Sequence, residues 1–137
     1  MLTTDHETYL VVDDDEGMRT LLKTLLEVRK KAVSIASNSD EAIEILSHNK
    51  GSISAAIIDL NLGGKRGEEL FDELTLIKDD LPIFLISGCG SDEMHDRIGH
   101  RRIAGMISKP FHSMSFVDTL TAGVEKFSSA TLSSQSV

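Results

Sequence analysis

Asp13, Asp14, Asp59 and Lys109 stand at the ends of separate apolar runs and carry groups that could do chemistry. Two carboxylates about 4 Å apart repel by about 4 kcal/mol at an effective dielectric of about 20. A cluster of three therefore needs a proton, a lysine or a divalent cation. Oxygen donors without nearby His or Cys favour a hard cation, and Mg²⁺ fits best because it commonly takes only one or two carboxylates. These residue types therefore predict a magnesium site.

With a cation in place, Asp59 can act as an oxygen nucleophile toward phosphorus. Mg²⁺ and Lys109 would neutralise the charge that develops on the transferred group, and the Ser87 hydroxyl would hydrogen-bond it. The product would be an aspartyl phosphate. Taken alone, the acidic run that starts at Asp13 is typical of a solvated helix N-terminus. Lys109, taken alone, would be an ordinary surface lysine. Their combination with Asp59 and Ser87 favours a site.

This chemistry requires elements that bring distant positions together. Short apolar runs alternate with stretches of helical periodicity, which predicts an α/β fold whose parallel sheet has helices on both faces. Such sheets place their working residues after the carboxyl ends of the strands. The second run alternates in polarity and is therefore predicted at the sheet edge. The five predicted strands are Tyr9 to Asp13, Ala32 to Ala36, Ile53 to Asp59, Ile83 to Ser87, and Ala104 to Ser108.

Five helices are predicted between and after these strands from apolar residues at helical spacing. The region after Phe127 is small and polar, with too few apolar residues to pack, so a disordered tail or linker is predicted for residues 128–137 and a domain for residues 7–127. The helices are expected over Glu16 to Arg29, after Asn38, around Leu70 to Ile77, over Asp92 to His100, and around Phe116 to Phe127.

Length, charge and cysteine content exclude several classes of protein. A chain of 137 residues fits one domain, and its net charge of −8 disfavours direct binding to nucleic acid or anionic lipid. The single cysteine, Cys89, cannot form an intrachain disulfide, and no secretion signal or long apolar run is present. These features predict a cytoplasmic protein without a membrane span.

Four segments resemble the signatures of the receiver domain of two-component response regulators, over roughly residues 7–127. Each motif is weak by itself, but four in the right order at the ends of four strands are specific. The resemblance implies a flavodoxin-like, doubly wound, five-stranded parallel sheet of order 2-1-3-4-5 with five helices. The segments are Leu10 to Asp14 (LVVDD), Ile57 to Asn61 (IIDLN), Phe84 to Gly88 (FLISG) and Ile107 to Phe111 (ISKPF).

The resemblance also implies roles for single residues. Asp59 would accept a phosphoryl group from a phosphohistidine of a sensor histidine kinase or a histidine phosphotransfer protein. Asp14, Asp59 and the main-chain carbonyl of Asn61 would hold Mg²⁺, with Asp13 assisting through water. The further roles implied are phosphoryl binding and switching for Ser87, Gly88, Lys109 and Met106, and tuning of turnover for Asn61 and Cys89.

The sequence departs from the family pattern at several points. The loop from Leu62 to Gly67 is glycine-rich where the family usually has a proline-containing loop, so a looser loop is expected. Met106 stands where receivers often have an aromatic residue that moves on phosphorylation, and it offers neither a ring nor a hydroxyl. Gly88 stands where alanine is commoner. A cis peptide bond is expected between Lys109 and Pro110.

The leading interpretation is a signalling module that catalyses only its own phosphoryl transfer and hydrolysis. A flavin- or nucleotide-binding protein of similar fold is disfavoured because the acidic loop after the first strand repels phosphate. A phosphatase with an aspartate nucleophile would need a second aspartate at position 61, which is Asn61. A degenerate receiver that acts only as an interaction module is not favoured, because all reactive positions are occupied. A stand-alone receiver, a phosphorelay intermediate, and a piece of a hybrid histidine kinase or larger regulator all remain open.

Overall fold

The computed structural model describes residues 7–88, 90–109 and 113–135. Strands and helices alternate along these ranges, with one short hairpin inserted after the third strand. The elements are β1 (Thr8–Val12), α1 (Glu16–Val28), β2 (Ala32–Ala36), α2 (Ser39–His48), β3 (Ile53–Asp59), β4 (Asn61–Leu62), β5 (Lys65–Arg66), α3 (Gly67–Ile77), β6 (Ile83–Ser87), α4 (Ser91–Ile98), β7 (Gly105–Ser108) and α5 (Ser113–Gln135).

The main sheet has five parallel strands in the order β2-β1-β3-β6-β7. The five predicted strands correspond to β1, β2, β3, β6 and β7, so the predicted 2-1-3-4-5 order and the doubly wound fold are confirmed. The strand that alternates in polarity, β2, lies at the edge, and its Ile35 side chain is exposed. The apolar pattern therefore reflects how many faces of each strand are covered.

The two faces of the sheet form two separate cores because successive strand residues point to opposite sides. Leu10 packs on the side covered by α2, α3 and α4, whereas Val11 packs on the side covered by α1 and α5. Both side chains are fully buried. The helices contribute to these cores, among others, Leu46, Leu70 and Met94 on the first side, and Leu22, Leu26, Phe116 and Leu120 on the second.

The strand register brings the carboxyl ends of the central strands to one rim. Val12 pairs with Ile58, so Asp13 and Asp59 follow on adjacent strands. Asp59 in turn pairs with Ile86, the residue before Ser87. The register alone therefore juxtaposes residues that are far apart in sequence.

The segment after Asn61 differs from the loose glycine-rich loop that the sequence predicts. It forms a two-stranded antiparallel hairpin in which Asn61 pairs with Arg66 and Leu62 with Lys65. Gly63 has a φ of +67° at the turn, a conformation that a residue without a Cβ adopts readily. The glycines therefore permit a tight turn here.

Helix α5 continues to Gln135, beyond the predicted end of the last helix near Phe127. The prediction of a disordered tail or linker over residues 128–137 stays a prediction, although the helical backbone extends into this region. Extending an existing helix costs far less than starting one, because each added residue gains a hydrogen bond without a new nucleus. Within the ranges that the structure describes, no helix combines the length and apolar character needed to cross a membrane.

Candidate functional site

Three carboxylates meet at the rim of the sheet between β1 and β3. One oxygen from each of Asp13, Asp14 and Asp59 lies within 4.8 Å of the others. Asp13 and Asp59 are buried, whereas Asp14 is exposed and forms the outer side of the cluster. The structure thus brings together the three acidic residues that the sequence singled out.

Asp13 is buried with only part of its carboxylate satisfied. Its Oδ1 accepts a hydrogen bond from the Asp15 amide at 2.9 Å, and its buried Oδ2 has no hydrogen-bond partner among the described residues. Burial raises the pKa of Asp13 to about 6; the Asp15 amide and the charge of Lys109 oppose this rise, while Asp59 adds to it. The cluster therefore carries a buried carboxylate oxygen that accepts no hydrogen bond from the described residues.

Asp59 is held from both sides. Its Oδ1 accepts from the Asn61 amide at 2.8 Å, and its Oδ2 accepts from Lys109 Nζ at 2.8 Å. The same Nζ lies 3.9 Å from Asp13 Oδ2. Burial by itself would lower the pKa of Lys109, but the hydrogen bond and charge of Asp59 raise it above its usual value. The lysine therefore stays a cation that faces two carboxylates.

Ser87 and Lys109 are linked through the backbone. The Lys109 amide donates to the Ser87 carbonyl at 2.8 Å, and β6 pairs with β7 up to Ser87 and Ser108. Ser87 is fully buried at the end of β6. Gly88 is exposed, and a Cβ built there meets nothing within 4 Å, so an alanine would fit. These residues lie at the rim that also holds the acidic cluster.

The other predicted site residues lie at different depths. Asn61 begins the hairpin, with an exposed side chain. Met106 lies in β7, partly buried against the core on the α4 side of the sheet. Cys89 and Pro110 lie outside the described residues, as does the expected cis bond between Lys109 and Pro110.

Gly67 is a site-forming residue that the sequence analysis missed. A Cβ there would lie 2.6 Å from the Asp59 carbonyl oxygen and 2.7 Å from Leu60 Cα. The start of α3 thus packs directly on the backbone of the nucleophile candidate, an approach that only glycine permits. The available signal was a glycine at the first turn of a helix shortly after Asp59.

Arg97 on α4 is a second residue that was missed. Its Nη2 donates to the Leu60 carbonyl at 2.9 Å, and its Nη1 donates to Asn61 Oδ1 at 3.2 Å. The guanidinium also binds both carboxylate oxygens of Glu68 on α3, at 2.6 and 2.9 Å. The signal in the sequence was a pair of acids four residues apart on α3 and a pair of arginines four residues apart, one on α4 and one just after its end.

The cluster fits a hard divalent cation on its own donor set. It offers only oxygen donors, two of the three carboxylates are buried, and Asp13 Oδ2 is buried without a hydrogen-bond partner among the described residues. A cation at this position would satisfy that oxygen and remove the repulsion between Asp13 and Asp59.

Comparisons with known proteins agree on one family. The chain matches the family described as "Response regulator receiver domain" over residues 9–121. It is 32% identical over 110 residues to the regulatory protein VirG of Rhizobium rhizogenes. That match covers 79% of this chain and 44% of VirG. The chain thus spans less than half of the length of this relative.

Solved structures show the same fold. A response regulator receiver domain protein from Clostridium thermocellum has a TM-score of 0.80 at 22% identity, over 88% of this chain and 95% of that one. A response regulator protein from Burkholderia pseudomallei, solved with a phosphorylated aspartic acid, a calcium ion and citrate, has a TM-score of 0.76 at 26% identity. That match covers 90% of this chain and 72% of the other.

Proposed function

Because this chain belongs to the family of response regulator receiver domains, we propose that its acidic pocket is a phosphorylation site in which Asp59 is the phosphoacceptor. The observation that carries the proposal is the convergence on Asp59 of two further carboxylates and one lysine. Asp13 and Asp14 contribute oxygens within 4.8 Å, and Lys109 donates to Asp59 Oδ2 at 2.8 Å. These are the groups that a metal-assisted transfer of phosphorus to a carboxylate needs.

Mg²⁺ is the proposed cofactor. Asp14, Asp59 and the main-chain carbonyl of Asn61 would hold it, with Asp13 assisting through water. The bound ion would neutralise negative charge on the phosphoryl oxygens. The Burkholderia pseudomallei protein, which has a similar structure, was solved with both a phosphorylated aspartic acid and a calcium ion, and this supports a divalent cation as the cofactor.

The transfer itself requires little covalent chemistry from the other residues. A carboxylate oxygen of Asp59 attacks the phosphorus of a phosphohistidine, the new P–O bond forms, and the P–N bond breaks. The electron pair of that bond remains on the imidazole nitrogen, which takes a proton from solvent. Lys109 exchanges its contact with Asp59 for one with the phosphoryl group, and the Ser87 hydroxyl donates a hydrogen bond to it.

The remaining assignments follow from the same proposal. Gly88 leaves space beside the phosphoryl group, and Met106 responds to the state of the pocket from β7. Asn61 and Cys89 tune the rate of hydrolysis. We propose no enzymatic activity beyond the domain's own phosphorylation and dephosphorylation.

The donor is a sensor histidine kinase or a histidine phosphotransfer protein in the cytoplasm. The receiver domain covers residues 7–127, and its output surface binds a protein partner rather than nucleic acid, consistent with a net charge of −8. Since VirG is more than twice as long as the matched region, a role as one domain of a larger regulator or hybrid kinase, and a role as a relay intermediate, are both compatible with the chain.

Labelling with acetyl phosphate tests the proposal. With Mg²⁺, the wild-type chain should gain one phosphoryl group, and chelation of the metal should abolish the gain. Asp59→Asn should gain none. Asp80→Asn is the matched control, because Asp80 is an exposed acid at the opposite end of β6, and it should label like the wild type. Equal labelling of wild type and Asp59→Asn would refute the proposal.

A further inference from the structure

Arg97 joins three parts of the molecule that are far apart in sequence. From α4 it reaches the backbone of Leu60, the side chain of Asn61 and the carboxylate of Glu68 on α3. The guanidinium has donors in a fixed planar fork, so one side chain can hold several acceptors at defined positions. Arg97 therefore links two helices to the loop that follows Asp59.

The Leu60 contact lies directly beside the phosphoacceptor. The Leu60 carbonyl accepts from the Gly67 amide at 3.0 Å as well as from Arg97, and the Leu60 amide donates to the Ile86 carbonyl at 3.0 Å. Leu60 itself is fully buried. The residue after Asp59 is thus fixed to β6, to α3 and, through Arg97, to α4.

Glu68 anchors the arginine. Its side chain is only 8% exposed, and both of its oxygens accept from Arg97. Burial by itself would raise the pKa of Glu68, but the hydrogen bonds and charge of Arg97 outweigh burial and lower it. Removing one member of such a buried pair leaves a buried charge without its partner. The guanidinium is therefore held firmly against the loop.

A second ion pair provides an internal comparison. Arg101, four residues after Arg97 and beyond the end of α4 at Ile98, binds Asp72 on α3 with two hydrogen bonds of 2.8 Å. Its Nη1 also donates to the carbonyls of Arg97 and Ile98, at the C-terminal end of α4. Arg101 therefore ties α3 to the end of α4 with the same chemistry, and among the described residues it has no hydrogen bond to the loop after Asp59.

We propose that Arg97 is a positioning residue that fixes the loop after Asp59 and couples the state of Asp59 to helix α4. The proposal rests on the phosphoacceptor function proposed above. Arg97 contacts this loop at two points. One is the Leu60 carbonyl, which belongs to the peptide group between Leu60 and Asn61, and the other is the Asn61 side chain. Any rearrangement of that peptide group when the pocket is loaded is passed to α4 through the guanidinium. Met106, which packs from β7 on this side of the sheet, offers only a weak thioether acceptor and no donor, so it cannot hold the loop in the same way.

Amide hydrogen exchange tests the coupling. The wild type, Arg97→Gln and Arg101→Gln are each measured with and without Mg²⁺ and trifluoroberyllate, a phosphoryl mimic, and adduct formation is verified by ¹⁹F NMR. Loading should change exchange in α4 of the wild type and of Arg101→Gln. In Arg97→Gln the adduct should still form, but the change in α4 should be smaller by about threefold or more.

The outcomes separate the two proposals. A response of α4 in Arg97→Gln equal to that of Arg101→Gln would overturn the coupling, as would a wild type whose α4 does not respond to a formed adduct. Failure of the wild type to form an adduct would overturn the phosphoacceptor function itself. Should Arg97→Gln not fold, Arg97→Lys keeps the charge but lacks the planar fork, and the same loss of response is expected from it.

Discussion

At the scale of single residues, the site holds two buried carboxylates whose negative charge is only partly neutralised by one lysine. Asp13 and Asp59 are both buried beside each other, and one ammonium group, that of Lys109, lies 2.8 Å from the second carboxylate and 3.9 Å from the first. One lysine between buried acids leaves excess negative charge. The pocket is therefore less stable without a cation than an uncharged pocket of the same shape would be.

The first prediction concerns removal of that excess charge. Asp13→Asn keeps an oxygen for the Asp15 amide but loses the carboxylate. In metal-free solution at neutral pH the variant should be more stable by about 1–3 kcal/mol, because the wild type must ionise a buried acid. Urea unfolding with a chelator measures this difference. Added Mg²⁺ should stabilise the wild type more than the variant, which keeps the proposed direct ligands but lacks the Asp13 charge; a variant less stable than the metal-free wild type would contradict the account.

The second prediction is the pH dependence of the same group. Asp13 has a folded pKa of about 6, above its ordinary value near 4 in the unfolded chain. The folded state therefore binds this proton more tightly, and the resulting stability is complete below about pH 4 and lost as pH rises through 6. The stability of metal-free wild type relative to Asp13→Asn should fall by about 2–3 kcal/mol between pH 4 and 7. A constant difference would contradict the burial of this carboxylate.

At the scale of elements, the junction between β3 and α3 positions Asp59, the proposed nucleophile. Gly67 begins α3 against the Asp59 carbonyl, and its amide donates to the Leu60 carbonyl at 3.0 Å. The helix start therefore supports the backbone of Asp59, the proposed phosphoacceptor. The hairpin between them places Asn61 so that its amide reaches Asp59 Oδ1 at 2.8 Å.

The third prediction tests that support. Gly67→Ala should destabilise the protein by about 2 kcal/mol or more and reduce phosphorylation, because its Cβ would overlap backbone atoms that cannot move away cheaply. Gly64→Ala, in the adjacent hairpin, is the matched control, since a Cβ there meets nothing within 4 Å. Thermal unfolding and acetyl phosphate labelling compare them. Equal stability and labelling in the two variants would show that the contact has no role.

Elements differed in how well the sequence predicts them. Three strands, β2, β3 and β6, match their predicted bounds, because buried parallel strands are apolar runs ended by polar residues. The hairpin was missed because two-residue strands are too short to show any periodicity. The ion pair that joins α3 to α4 was missed because Glu68 and Arg97 are 29 positions apart, and only the fold brings them together. The acidic cluster was predictable since its members end adjacent strands.

At the scale of the whole molecule, the rigid core and the chemical rim occupy different regions. Buried apolar side chains on both faces of the sheet hold five parallel strands, whose carboxyl ends present the polar groups. In α5, the buried residues Phe116, Val117, Leu120 and Phe127 all precede residue 128. Among the α5 side chains that the structure describes, at residues 115–128, Phe127 is the last buried one.

The fourth prediction follows from this boundary. A chain ending at Phe127 should unfold with a free energy within about 1 kcal/mol of the full chain and should be phosphorylated equally. A chain ending at residue 119 is the control; it lacks Leu120 and Phe127 and should lose most of its stability. Urea unfolding compares the three lengths. A large loss on removal of residues 128–137 alone would place part of the core in that region.

Chemical mapping of the modified residue tests the central claim most directly. Borohydride reduces an aspartyl phosphate to homoserine and releases phosphate, so the acceptor keeps a permanent mark. After treatment with acetyl phosphate and Mg²⁺, followed by borohydride, peptide sequencing by mass spectrometry should find homoserine at position 59. Homoserine at position 13 or 14 instead, or at none of the three aspartates, would contradict the assignment of Asp59 as the residue that takes the phosphoryl group.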